Sequence, residues 1–398
     1  MKDLIYFDAN GNYPTIQYNC NKAIACHNIS ANPTTESESL INDIKKKIRE
    51  LHGDYQVIFT SGGSESNSTA INHVIYNNYF IKKVDKIHFV CSSVEHPSIT
   101  NFVRKLEKDS IIEVTWIKPA YDGFIDITTY IDAIKDNTAL LIMQSCNSET
   151  GVIQDIGRIN IEAKKRNIPM FVDNVQGFMK IDYPRDVGDM ISISFHKIGG
   201  PIGSGALLIR KNHVIHPLIH GKQNDGLRGG TYNYPALCCT WSAMKSFKKS
   251  SNSNYLYLKL INDLNGISYN EFVDRVNKGE QLKGPYCVIM RDKTRIYLNH
   301  TFLIFCCYGM KILCGGKLKQ YLLKHNILIG TGSACNSGKS ATVNMNEEEI
   351  FDYNLGSIRS VLDARVATGI VRISLHDNSK KEINLLLKNI NMFISENH

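Results

Sequence analysis

The sequence predicts an α/β protein: a large domain on a seven-stranded, mostly parallel sheet, followed by a smaller α+β domain. Three observations predict it. Between residues 56 and 210 seven short apolar runs alternate with polar, helix-compatible stretches, the pattern of strands joined by crossover helices. The runs are largely apolar, without the strict alternation of half-exposed strands, as expected of strands covered on both faces. Beyond a polar stretch at 248–254 the alternation gives way to a looser mixture of strands and helices.

The seven runs lie at 57–59, 87–91, 112–116, 139–143, 170–172, 190–194 and 206–209. A helical stretch follows Pro235 and reaches Ser246. Lys248-Lys249-Ser250-Ser251-Asn252-Ser253-Asn254 then reads as a domain junction. Past it, strands are expected at 286–290, 302–307 and 370–375, and helices at 317–325 and 380–395.

A chain of 398 residues with 43% hydrophobic and 21% charged residues can bury a sizeable core in two or three domains. That composition excludes a small disulfide scaffold and a disordered tail. The formal net charge of +8 is thinly spread; it favours anionic small molecules slightly, and no nucleic-acid partner is expected. The longest apolar stretch, near 302–310, is about half of the ~18 residues a membrane helix needs, so no membrane partner is expected. Acids at Asp3 and Asp8 do not fit a signal peptide. Eleven cysteines without a C-x-x-C spacing suggest a reduced, cytoplasmic compartment and no metal site.

In sheets of this kind ligands bind beyond the carboxyl ends of the strands, so the residues after each run matter most. After the first comes Thr60-Ser61-Gly62-Gly63-Ser64-Glu65-Ser66-Asn67, a glycine-bearing turn into a helix that could cradle a phosphate. After the second comes Glu95-His96-Pro97, and after the fourth Gln144-Ser145-Cys146-Asn147-Ser148-Glu149-Thr150-Gly151. After the fifth, Asp173 ends an apolar strand and needs a cationic partner to justify its burial. After the sixth, His196-Lys197 leads into a glycine-rich loop, a setting that can desolvate an amine into a nucleophile. Each piece alone has an ordinary reading: a capped turn, a structural histidine, a plain loop, a salt bridge, a surface lysine. Together at one sheet edge they are a phosphate cradle, a ring-stacking imidazole, an acid for a pyridinium nitrogen and a Schiff-base lysine, the protein parts that pyridoxal phosphate (PLP) requires.

The chain resembles the cysteine desulfurases of the NifS/IscS type, class V aminotransferase-like enzymes of PLP fold type I. The resemblance runs from Tyr6-Phe7-Asp8 to Val371-Arg372-Ile373-Ser374-Leu375 and includes the motifs above, Arg228-Gly229-Gly230-Thr231 and Gly332-Ser333-Ala334-Cys335-Asn336-Ser337-Gly338. It implies a large PLP-binding domain over residues 15–250, and a small domain over 1–14 and 251–398 that carries a mobile cysteine loop. By the same resemblance Lys197 bonds the cofactor, His96 stacks on its ring, Asp173 pairs with the ring nitrogen and Gln176 with the ring oxygen. Asn147 and Ser148 stand at further ring-contact positions. Gly63, Ser64, Ser194, His196 and Thr231 match the phosphate site, Thr231 reaching it from the partner subunit of a homodimer. Cys335 matches the nucleophile and Arg372 the clamp for the substrate carboxylate, a task suited to a planar guanidinium.

The implied reaction takes sulfur from L-cysteine, leaving L-alanine and a Cys335 persulfide for a sulfur-acceptor protein. A selenocysteine lyase, or a silent partner subunit of the same fold, would share the cofactor residues. Three stretches depart from the family pattern: Gly11-Asn12-Tyr13 for Ala-Thr-Thr, Ser148 for the second Asn of Asn-Asn-Glu, and His220-Gly221-Lys222-Gln223-Asn224 for Gly-Gly-Gly-Gln-Glu. The chain also ends soon after Ser395, short of the tail by which housekeeping members dock a scaffold.

Overall fold

The structure, a computed structural model, describes residues 4–15, 35–84, 86–211, 215–331 and 357–397. Its first strand, β1 (Ile5–Phe7), belongs to a small sheet. The main sheet is built from β2 (Tyr55–Thr60), β3 (Ile87–Ser92), β4 (Ile112–Ile117), β5 (Thr138–Gln144), β6 (Met170–Asp173), β7 (Met190–Ser194) and β8 (Gly205–Arg210). All seven coincide with the apolar runs. Their spatial order is β2-β8-β7-β6-β5-β3-β4. Only β8 runs against its neighbours β2 and β7, so the other six strands end at one edge.

The apolar runs bury both faces except in β4, an edge strand that exposes Glu113 and half-exposes Val114 to Trp116, against the expectation of full cover. Val57, Phe59, Val90, Leu141, Met143, Met170 and Val172 point into one core, while Ile58, Phe89, Cys91, Leu140, Ile142 and Phe171 point into the other. This is the period-two alternation of a strand with apolar side chains on each side. Helices Gly63–Ile75 and Pro97–Lys108 supply Ala70, Ile71, Ile99 and Val103 to the second core, and Thr35–His52 and Ile156–Lys165 supply Ile44, Ile48 and Ile159 to the first. Pro97 sits in the first helical turn after its N-cap His96, where its missing N–H costs nothing.

The second half of the chain contributes β9 (Ile267–Ser268), β10 (Pro285–Ile289), β11 (Thr301–Tyr308), β12 (Lys311–Ile312), β13 (Ile327–Ile329) and β14 (Val371–Ser374). Five of them form a sheet around β11, which pairs with β10, β12 and β14. Helix Lys380–Glu396 covers it, opening with a capping box between Ser379 and Glu382. The sequence expectations passed over the short strands β9, β12 and β13, two or three residues each, and the helices Ser253–Asp263 and Tyr269–Asn277. Strand β1 pairs with β13 in parallel, and Asp8 bridges to Ser374, which carries the N-terminal segment across the second sheet toward the edge of the first.

At that edge the hydroxyl of fully buried Tyr130 lies 3.0 Å from the Val90 carbonyl and 2.9 Å from that of Ile142, tying β3 to β5. Tyr130→Phe should lower unfolding free energy by about 1 kcal/mol, the usual worth of one such bond, measured by denaturant unfolding. An unchanged midpoint would show that this hydroxyl contributes nothing to sheet stability.

Candidate active site

Segments leaving the ends of β2, β3, β5, β6 and β7 surround a cavity of about 190 Å³. Its walls include Gly63, Ser64 and Asn67 after β2, His96 after β3, and Gln144, Cys146, Ser148 and Glu149 from β5 onward. Asp173, Gln176, Ser194, His196 and Lys197 complete that side, and Asn10, Gly11 and Arg372 close the other. The register explains the convergence, because Gln144 lies opposite Asp173, and Asp173 opposite Ser192.

Lys197 occupies a 3-10 turn, Phe195–Ile198, that stops at Gly199 with φ of 85°. Its Nζ donates to the carbonyls of Asn10 at 2.8 Å and Gly11 at 2.7 Å. Burial pushes its ammonium down to about 8, and the Arg372 charge adds to the fall while Asp8 and Asp173 oppose it. Beside it, His196 Nδ1 lies 2.8 Å from Ser194 Oγ. Burial first, then the Lys197 charge, lowers that imidazole to about 4, so it is neutral at pH 7.

Asp173 is held from both sides: Oδ1 accepts from the Val175 amide at 2.9 Å and Oδ2 from Asn67 Nδ2 at 3.0 Å. The second Asn67 Nδ2 proton goes to Ser98 Oγ at 2.9 Å, and Ser98 in turn lies against His96 Nδ1, 2.8 Å from its hydroxyl and 3.1 Å from its amide. The ring of His96 is exposed to the cavity. Desolvation lowers the imidazole below its ordinary value, against the pull of Asp173 and with the push of Lys197. Beneath Asp173 lies Glu95, fully buried, whose Oε1 accepts from the Gln144 amide at 2.9 Å. Burial and the neighbouring Asp173 push Glu95 up to about 8, which keeps it mostly protonated at pH 7.

Arg372, on β14, is 4% exposed. Its Nη2 pairs with Asp8 Oδ1 at 2.6 Å and its Nη1 donates to the Ser148 carbonyl at 2.9 Å, while Nε has no partner among the described residues. Asn10 knits the wall together: its Nδ2 donates to the Ser148 carbonyl and Thr301 Oγ1, and its own carbonyl accepts from Gln176 as well as Lys197. Buried Glu149 accepts from Ser357 Oγ and the Ile358 amide, and its burial raises its carboxyl above the ordinary value.

The family model described as Aminotransferase class-V matches residues 15–226. The chain is 31% identical over 356 residues to a cysteine desulfurase of Sinorhizobium fredii, covering 87% of this chain and 84% of that relative. The chain belongs to the cysteine desulfurases of the class-V aminotransferase family. It is also 33% identical over 268 residues to the cysteine desulfurase IscS of Rickettsia felis, covering 63% of this chain and 62% of the relative. Among solved structures, a NifS-like protein superposes with a TM-score of 0.76 at 23% identity over 99% of this chain and 100% of the other, which shows the shared fold. SspA in complex with cysteine superposes with a TM-score of 0.70 at 27% identity, over 94% of this chain and 99% of that one.

The structure of this desulfurase brings together ten of the residues singled out in the sequence: Gly63, Ser64, His96, Ser148, Asp173, Gln176, Ser194, His196, Lys197 and Arg372. Two stand apart. Asn147 turns its Oδ1 back to the amides of Glu149 and Thr150, and it does not line the cavity. Thr231 lines a separate cavity of about 260 Å³ with Ser61, Gly203 and Arg228. Cys335 lies outside the described residues. Sequence reasoning missed Asn67 and Asn10. Asn67 could have been found, since it follows Gly63 by four residues on a helix and so shares its face. Nothing local marks Asn10.

The depressed Lys197 predicts a titration. The reactive amine is the unprotonated form, and with the folded value near 8 its population at pH 7.5 exceeds that of an ordinary lysine by roughly two orders of magnitude. Labelling of Lys197 in the cofactor-free protein by trinitrobenzenesulfonate, followed by peptide mass spectrometry from pH 6 to 11, should be half-maximal near 8. A rise continuing toward 10.5 would contradict the burial argument.

Proposed function

We propose that this desulfurase uses PLP, held by the residues of the catalytic cavity, to remove sulfur from L-cysteine, releasing L-alanine and leaving a persulfide on Cys335. The observation that carries the reading is the placement of a buried, easily deprotonated Lys197 and a doubly held Asp173 in one cavity at the carboxyl edge of the sheet. The residues fit the group. A side chain at Gly63 would come 2.6 Å from Val175 Cγ2, so only glycine leaves the mouth of the helix open for a phosphate. Asn67 Oδ1 and Arg372 Nε are buried with no partner among the described residues, as expected around a space meant for a polar ligand.

When bound, PLP supplies an aldehyde that captures amines and a protonated ring that withdraws electrons from the attached carbon. We assign Gly63, Ser64, Ser194 and His196 to its phosphate, His96 and Gln176 to its ring, and Asp173 to the proton on its ring nitrogen. Arg372 takes the substrate carboxylate. Lys197, about half unprotonated at pH 8, moves the proton at the substrate α-carbon. The Cys335 thiolate attacks the substrate sulfur: the new S–S bond forms as the substrate C–S bond breaks, and protonation of the carbon left behind gives alanine. An acceptor thiol then takes the terminal sulfur, a transfer suited to a reducing cytoplasm.

This division of labour separates two readouts. In Cys335→Ser, borohydride reduction of the reconstituted protein should still place the pyridoxyl label on Lys197, and cysteine should still change the absorption spectrum. Persulfide on the enzyme should fall below detection, and sulfide release should drop by about two orders of magnitude or more, the loss expected when a nucleophile is removed. Wild-type persulfide in that variant would remove Cys335 from the mechanism; label on another lysine would remove Lys197.

We assign Thr231 to the phosphate site of a second copy of the chain, as the resemblance of Arg228-Gly229-Gly230-Thr231 to the family motif implies; in its own chain it lines a different cavity. Sedimentation at micromolar concentration should therefore show a dimer, and a monomer that holds PLP fully would refute this assignment.

A further inference from the structure

The segment Asn10 to Tyr13 is a wall with a cavity on each side. Asn10 and Gly11 line the catalytic cavity, whereas Tyr13 lines a larger one of about 470 Å³. This second space lies between the segments 180–184 and 247–250 and the loop 296–300. Its lining is mixed, and one part of it is apolar, with Phe247 and Leu298 on the walls and Tyr13 against Phe247 at a ring-centroid distance of 5.4 Å. It absorbs two features of the sequence that the proposed reaction leaves unused, the Gly11-Asn12-Tyr13 departure and the Lys248-Lys249 pair.

At the inner end of this cavity sits Lys180, 7% exposed. Its ammonium has an acceptor in Gln176 Oε1, at a long 3.4 Å, and among the described residues it forms no ion pair. The nearest charges are those of Lys197 and Arg372, both of its own sign, with the thiol of Cys146 alongside. Burial, reinforced by those two cations, pushes Lys180 down to about 7. A buried cation without a carboxylate is costly, and either losing its proton or pairing with an anion from outside relieves that cost, so an anionic ligand would hold Lys180 in its charged form. His300 adds a second polar group to the same wall, its Nε2 3.1 Å from Asn10 Oδ1. Lys248 and Lys249 stand at the exposed rim. The acids there are already engaged: Asp182 pairs with Lys249 at 3.1 Å, and Asp155 caps the helix that follows it through the Arg158 amide.

We propose that this cavity is a second ligand site, built for a small carboxylate with an apolar or aromatic body, and that its occupation is felt in the catalytic cavity through the Lys180–Gln176 and His300–Asn10 hydrogen bonds. The carboxylate meets Lys180 and the body fills the space between Tyr13, Phe247 and Leu298. A ligand that draws Nζ toward itself competes with the long bond to Gln176, and Gln176 also holds the Asn10 carbonyl that Lys197 uses. Coupling of this sort is reciprocal, so the cofactor environment must respond to the ligand. The site itself does not depend on the proposed reaction; only the coupling does.

Isothermal titration of the PLP-loaded protein with 3-phenylpropionate tests it. Saturable binding is expected, with 3-phenylpropanamide and the Lys180→Met variant each weaker by about tenfold or more, the scale of losing a buried charge partner. Lys248→Glu, an exposed position whose substitution leaves the fold intact, should weaken binding by a smaller factor, so the proposal stays testable if Lys180→Met unfolds. Arg372→Lys should leave the affinity unchanged, which separates this site from the catalytic cavity. No saturation up to about 10 mM, equal binding of the amide, or binding that survives Lys180→Met but is lost in Arg372→Lys would overturn the site. Saturation without any change in the cofactor's visible absorption would overturn the coupling.

Discussion

An amine must be kept out of water at the edge of a sheet without a carboxylate to pair with it, and the arrangement around Lys197 follows from that requirement. Burial alone would strand the ammonium, so two carbonyl oxygens, those of Asn10 and Gly11, stand in for water. They come from the far end of the chain and can do this only because the N-terminal segment is pinned along its length. Strand β1 is paired with β13, the Asn10 amide donates to Ser374 Oγ, and the Asn10 side chain reaches Ser148 and Thr301. Lys197 is therefore set by contacts from both sheets, and a local change in either reaches it.

The same low dielectric sorts the remaining titratable groups. Glu95 is raised to about 8 and His196 lowered to about 4, so burial removes charge from an acid and from a base alike at pH 7. Glu149 is raised for the same reason. What remains to set the polarity of the cavity is Arg372 with its partner Asp8, Asp173 with its two donors, and a lysine close to its titration midpoint. Such a space suits an anionic ligand at the helix start and at the guanidinium, which Asp8 occupies at one nitrogen only, in keeping with the modest positive charge of the whole chain.

The main sheet could be read from the sequence because its strands, apart from the half-exposed edge strand β4, are buried on both faces. Burial of that kind leaves runs such as Leu140-Leu141-Ile142-Met143, which no exposed element needs. The same reasoning pointed to the residues after each strand and so to Lys197, Asp173 and His96. It could not reach Asn10, whose role rests on a hydrogen bond to a residue 187 positions away, nor Lys180, which in sequence is one more lysine. It also named Asn147, which the fold spends on its own turn: a side-chain oxygen two and three residues ahead of free amides caps them before it can face a ligand. Short strands such as β13 are held by partners rather than by their own pattern, and local reading passes over them.

Glycines pack on either side of the Asp8–Arg372 pair, one of them at residue 11, where this chain departs from the family pattern. A Cβ built on Gly11 would lie 2.7 Å from Asp8 Oδ2, and one on Gly330 would lie 2.6 Å from Asp8 Oδ1 and 3.1 Å from Arg372 Nε. A side chain at position 11 would press on the carboxylate that holds Nη2 unless Asp8 shifted. With glycine there, Asp8 keeps its 2.6 Å contact and Ser148 keeps Nη1, which leaves Nε as the one guanidinium nitrogen without a partner among the described residues. Arg372 is therefore already oriented by an internal carboxylate. The planar guanidinium carries five N–H donors and spends two of them on Asp8 and Ser148 among the described residues, so a carboxylate brought to it shares the group with Asp8 and need not displace it.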